Sequence, residues 1–96
     1  MKALRLRPKA ADDLETIWLH IARDDPLAAD AFVDHLTELF ELLLASPLIG
    51  AACPEIAADL RRFPTQDYLV FYSVHEESLV IERILHGARD IEALFE

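Results

Sequence analysis

The spacing of apolar residues changes once along this chain, and the change divides it into halves that must fold differently. Between residues 10 and 45 apolar side chains return every three to four positions. Ala10, Leu14, Ile17, Trp18 and Ile21 make one stripe; Ala29, Phe32, Val33, Leu36, Phe40 and Leu43 make another. Both are the signature of a helix with one buried face. From residue 60 onward the rhythm is different. Tyr68–Val74 and Leu79–Leu85 are crowded with aromatic and β-branched residues, which suit strands. Helices with one apolar stripe and strands with one apolar face bury each other by packing as two layers, so the class is α+β.

Local signals set the boundaries. Leu4 and Leu6 alternate with Arg5 and Arg7, which predicts a short strand over Ala3–Arg7 with one wet face. Pro8 stops it and can open a helix. Asp12, Asp13 and Glu15 read as acids near the positive end of that helix, where the dipole favours them. The helix ends near Arg23-Asp24. Asp25-Pro26 is a good N-cap followed by a good first residue for a second helix, which Ser46-Pro47 ends. So short a connection makes the two helices an antiparallel hairpin. Residues 47–59, with Pro47, Gly50 and Pro54, read as a loop. A short strand is expected over Asp59–Phe63, a turn over Pro64–Asp67, strands over Tyr68–Val74 and Leu79–Leu85 with a hairpin turn over His75–Ser78, and a short terminal helix over Asp90–Phe95. The order is β-α-α-β-β-β: one domain over residues 1–96, a helical hairpin on one mostly antiparallel sheet.

Charge narrows the function. The 96 residues carry a formal net charge of −9, unevenly placed. Residues 1–9 hold four bases and no acid; residues 10–60 hold eleven acids and one base, Arg23. A general nucleic-acid binder needs cations for phosphate, so direct, sequence-specific nucleic-acid binding is not expected. The longest aliphatic run, Leu42–Ala45, is far short of the roughly 20 residues a membrane span needs. The charged start lacks the apolar core of a signal peptide, and Cys53 is the sole cysteine, which together point to the cytoplasm. No phosphate loop, paired-cysteine spacing or HExxH motif is present, and His20, His35, His75 and His86 fall in four different elements. No metal or cofactor is expected. Ser46, Ser73 and Ser78 have no nucleophile-elbow context.

One constellation remains. Arg61 and Arg62 fall on the first of the late strands, Tyr68 and Tyr72 on the next, and Arg83, His86 and Arg89 at or just past the end of the last. Strand pairing can gather them into one patch. Arginine can hold phosphate and His or Tyr can move a proton. Equally, the arginines can offset an acidic chain and the tyrosines can pack a sheet.

Five phrases, in order, carry a resemblance: Pro8 to Trp18 (PKAADDLETIW), Pro47-Leu48-Ile49-Gly50, Leu60-Arg61, Tyr68-Leu69-Val70-Phe71-Tyr72, and Val80 to Asp90 (VIERILHGARD). Together they resemble the ParE/RelE toxin superfamily of type II toxin–antitoxin modules across essentially the whole chain, and the first and last phrases look most like the ParE branch. The resemblance implies a toxin, associated with plasmid stabilisation, that inhibits DNA gyrase by binding, has no catalytic residues and is neutralised by a cognate antitoxin. The target-binding candidates are then Arg61, Arg62, Tyr68, Tyr72, Arg83, His86 and Arg89. The RelE branch implies a metal-independent, ribosome-dependent mRNA endonuclease, for which Arg61, His86 and Arg89 are the matching residues. Here Ala57, Ala58 and Asp59 stand where that branch has lysines, and Leu94 and Phe95 where it often has a tyrosine. A third alternative is an inactive module that holds only its antitoxin.

Overall fold

Proline fixes the start of both long helices. β1 (Ala3–Leu6) stops just before Pro8, which opens α1 (Pro8–Ala22), where a missing N–H leaves no helical bond unmade. After a three-residue connection α2 (Pro26–Ala45) begins. Its cap is the expected one: Asp25 Oδ1 accepts from the N–H groups of Leu27 at 3.1 Å and Ala28 at 3.2 Å. The remaining elements of the computed structural model, which describes residues 2–88 and 91–95, are β2 (Ala51–Ala52), β3 (Leu60–Thr65), β4 (Tyr68–Val74), β5 (Ser78–His86) and α3 (Ile91–Leu94). The strands form one sheet in the order β1-β5-β4-β3-β2, with β1 parallel to β5 and every other pairing antiparallel.

The architecture is the expected α+β hairpin on a mostly antiparallel sheet, with two local differences. The loop predicted over 47–59 contains a two-residue strand, β2. The turn predicted over Pro64–Asp67 shrinks to Gln66-Asp67, because β3 runs on to Thr65. Pro64 is tolerated there because β2 pairs only with Arg61 and Arg62, leaving the next stretch of β3 as an open edge. Gln66 makes the tight turn with a φ of 53°.

The central strands β4 and β5 are buried on both faces. On one, Ala10, Ile17, Phe32, Leu36, Phe40 and Leu43 of the hairpin meet Val70, Tyr72, Leu79, Ile81 and Ile84. Leu39 joins this core although it lies outside the stripe read from the sequence. On the other face Cys53, Leu60, Phe71 and Leu85 form a smaller cluster, covered by Ile56, Ile91 and Phe95. The rings of Phe71 and Phe95 lie 5.1 Å apart. Burial on both faces explains why β4 reads as a nearly continuous apolar run instead of alternating. Cys53, in the segment read as a loop, is fully buried in this second cluster.

The segment from Pro47 to Gly50 is tied to the sheet by two side chains. Tyr72 Oη accepts from the Gly50 N–H at 2.9 Å and donates to the Pro47 carbonyl at 2.8 Å. Arg61 donates to the carbonyls of Gly50 at 2.7 Å and Leu48 at 3.3 Å. The approach is so close that a Cβ on Gly50 would lie 2.5 Å from Tyr72 Oη and 2.8 Å from the Arg62 carbonyl oxygen. Gly50→Ala is therefore expected to destabilise the fold by about 1–3 kcal/mol, the usual cost of overpacking. Urea denaturation checks this; an unchanged midpoint would contradict the clamp.

Candidate functional site

Strand register separates the candidate residues. Arg61 pairs with Tyr72, and Tyr68 with His86, so these four share the sheet face that meets the helices. They sit at opposite ends of it. Arg61 is four residues along and two strands across from His86, roughly 16 Å from strand rise and spacing. Sequence reasoning allowed one patch; the register makes two.

At the first end Arg61 and Tyr72 hold the 47–50 segment as described. Tyr72 is fully buried. Burial pushes its phenol pKa upward, against the smaller downward pull of the Gly50 N–H and the Arg61 charge. Arg62, next to them, is exposed, and its side chain has no hydrogen-bond or ion-pair partner among the described residues. Its charge lowers the pKa of Cys53 somewhat, but burial dominates and the thiol is raised overall.

At the second end Tyr68 packs between Phe32 (centroids 5.3 Å apart) and His86 (5.4 Å). Burial, then the Asp67 carboxylate, pushes the Tyr68 pKa up. His86 is exposed, and its Nδ1 accepts from the Ala88 N–H at 3.1 Å. These residues line a hollow of ≈ 660 Å³ together with His20 and His35. Three histidines from different elements thus face one space. Among the described residues, however, no group of three or more His, Cys, Asp and Glu side chains is placed to hold a metal ion. Arg89 lies outside the described residues.

Arg83 belongs to neither end. Its Nε and a terminal nitrogen donate to the Oδ2 and Oδ1 of Asp13, at 2.8 and 3.0 Å, and the pair is about six-sevenths buried, 15% and 14% exposed. The hydrogen bonds to Asp13 raise the Arg83 pKa, with burial pulling the other way. Asp13 Oδ2 also accepts from the Ile84 backbone N–H at 3.0 Å. This corrects the reading of Asp13 as a dipole-favoured acid: the first turn of α1 contains no acid, and Asp13 faces the sheet.

A second polar group was missed. The β4–β5 register slips between Phe71 and Tyr72, leaving Glu82 as an extra residue on β5. Glu82 accepts from Ser73 Oγ at 2.7 Å and from Arg7 Nε at 3.0 Å, and Ser73 Oγ lies 2.9 Å from His75 Nε2. This is not a nucleophile arrangement. The serine sits between histidine and carboxylate, whereas activation needs the histidine in the middle. Nothing in the one-dimensional pattern announced the bulge that brings these groups together.

Comparison with known proteins decides the family. A family model described as "ParE toxin of type II toxin-antitoxin system, parDE" matches residues 4–91. The chain belongs to the ParE toxin family. Its relatives include Toxin ParE3 of Caulobacter vibrioides, 27% identical over 93 residues, covering 96% of this chain and 92% of that one. Toxin ParE1 of Mycobacterium tuberculosis is 30% identical over 89 residues, 91% of each chain. Among solved structures, one described as a chromosomal ParDE TA system from P. aeruginosa superposes with a TM-score of 0.73 at 25% identity, covering 90% of this chain and 96% of that one. ParE-type toxins are thus similar to this chain in both sequence and architecture, and the phrases around Gly50 and Asp13 have structural reasons in this member of the family.

The raised Tyr72 pKa has a testable consequence. The unfolded phenol ionises near pH 10, while the folded one keeps its proton to higher pH. Stability associated with Tyr72 is therefore present below about pH 10 and is lost as pH rises through the folded value. Tyr72→Phe is expected to cost about 1–3 kcal/mol at neutral pH, because the Gly50 N–H and Pro47 carbonyl lose their partner. It should also flatten the fall in stability as pH rises above about 10. Denaturation across that range tests both; an identical alkaline slope in the two proteins would contradict the assignment.

Proposed function

We propose that this chain is a cytoplasmic ParE-type toxin that inhibits DNA gyrase by binding it, without chemistry of its own, and that a cognate antitoxin neutralises it. The observation that carries the reading is the separation of Arg61 from His86, with Arg61 turned onto backbone carbonyls. A metal-independent nuclease needs a phosphate-holding cation and a proton-moving group around one scissile bond. Here Arg61 and His86 stand roughly 16 Å apart by strand geometry. Arg83, a third cation of the constellation, is bound to Asp13. The residues proposed to meet the target are those with accessible groups: Arg62 at one end, Tyr68 and His86 at the other.

The antitoxin is proposed to cover the outer edge of β1. Leu4 and Leu6 are each 37% exposed there, and an added strand would satisfy the open edge while shielding them.

Purified protein in a gyrase supercoiling assay is expected to inhibit, and His86→Ala to remain within about fivefold of it, since losing one contact costs on the order of 1 kcal/mol. A general acid or base would cost about 10²–10⁴ in rate. Ribosome-dependent mRNA cleavage by the parent protein, abolished in a folded His86→Ala variant, would overturn the proposal.

A further inference from the structure

We propose that the clamped segment from Pro47 to Gly50 is the part of this chain that enters its target, with Leu48 and Ile49 seated in an apolar pocket that carries an acidic group at its rim. The proposal rests on gyrase being the target and adds where the contact lies.

Leu48 is 67% and Ile49 47% exposed, and neither belongs to a core cluster. A lone exposed leucine is ordinary on a protein surface. The hold on the backbone beneath these two is not. Tyr72 and Arg61 together make four hydrogen bonds to the four-residue segment. The Ile49 N–H donates to the Ser46 carbonyl at 3.1 Å, and position 50 has no room for a Cβ. Pro47 has a fixed φ. Upstream the chain is helical, and downstream it is paired to β3. A segment needed only to connect α2 with β2 would gain by turning a leucine inward, away from water. Here the backbone is fixed in a shape that keeps both aliphatic side chains outside. Such a segment loses little conformational freedom when it binds, so the burial of Leu48 and Ile49 is realised as affinity.

The neighbours define the partner's chemistry. Two adjacent aliphatic side chains call for an apolar pocket. Arg62 lines a hollow of ≈ 600 Å³ together with Ile49, and its side chain has no partner among the described residues. A cation beside an apolar patch is matched by a carboxylate beside an apolar pocket. A second copy of this chain does not fit, because a two-fold contact centred on these residues sets the two Arg62 charges against each other. The segment also lies next to β2, at the edge of the sheet opposite β1, so it is separate from the edge proposed for the antitoxin.

The test uses the intact protein in the gyrase supercoiling assay, with the folded fraction of each variant measured on the same sample. Leu48→Asp, at an exposed position, should keep the parent's urea midpoint and raise the half-inhibiting concentration by about tenfold or more, some 1.4 kcal/mol. Leu27→Asp, at a position 80% exposed at the start of α2, should leave inhibition unchanged. Arg62→Glu should weaken inhibition, because it sets a like charge against the acidic rim. Tyr72→Phe frees Pro47 and Gly50. It should weaken inhibition per folded molecule in the parent but change little in Leu48→Asp, since the clamp acts through that side chain. A parent protein that does not inhibit gyrase would overturn the gyrase reading and this proposal with it. With an inhibiting parent, four results would each overturn this proposal alone: equal inhibition by Leu48→Asp, an equal loss in Leu27→Asp, no loss in Arg62→Glu, or the same loss from Tyr72→Phe with and without Leu48→Asp.

Discussion

Asp13 closes the sheet where its first strand runs out. β1 pairs with β5 only as far as Ile81, and the chain must then turn at Pro8 into α1. Without a substitute, the next stretch of β5 would present an unpaired backbone edge beneath a helix. Asp13 supplies the acceptor for the Ile84 N–H and holds Arg83 with the same carboxylate. One side chain therefore fixes how α1 lies on the sheet, and through the three-residue connection it fixes α2 as well. Breaking a largely buried pair of this kind is costly.

The same economy governs the far side. Tyr72 and Arg61 use their polar ends to tie down the segment from Pro47 to Gly50, so the sheet is anchored at both ends by groups that look chemical in the sequence. On the proposed reading this is why a ParE-family chain can poison a target without catalysis. The polar residues of its strands are largely engaged in architecture, and recognition falls to exposed patches: the rim around Arg62 and Leu48, the His86–Tyr68 end and the β1 edge.

Much of this was legible beforehand for identifiable reasons. The switch in apolar period located the hairpin and the late strands, and Asp25-Pro26 placed the second helix to the residue. Two other things were invisible. Register cannot be read from a strand's own residues, so the distance between Arg61 and His86 could not be known. Nor could the bulge at Glu82, which depends on the pairing of two strands. Asp13 was misread because an acid early in a helix ordinarily serves the dipole, and its true partners are about seventy residues away. The two-residue β2 lacked any strand signal, because Ala51 and Ala52 have poor β-propensity and are held by the pairing with Arg61 and Arg62.

The claim that these cations serve the fold is tested most directly at the Asp13–Arg83 pair. Asp13→Asn combined with Arg83→Gln replaces two charges by two amides while keeping an acceptor for the Ile84 N–H. The measurement is gyrase inhibition per folded molecule, with the folded fraction taken from denaturation of the same sample. If Arg83 acts through Asp13, the double variant inhibits as the parent does, whatever stability it loses. A double variant that is fully folded yet inactive would mean that Arg83 itself meets the target, and would contradict the account.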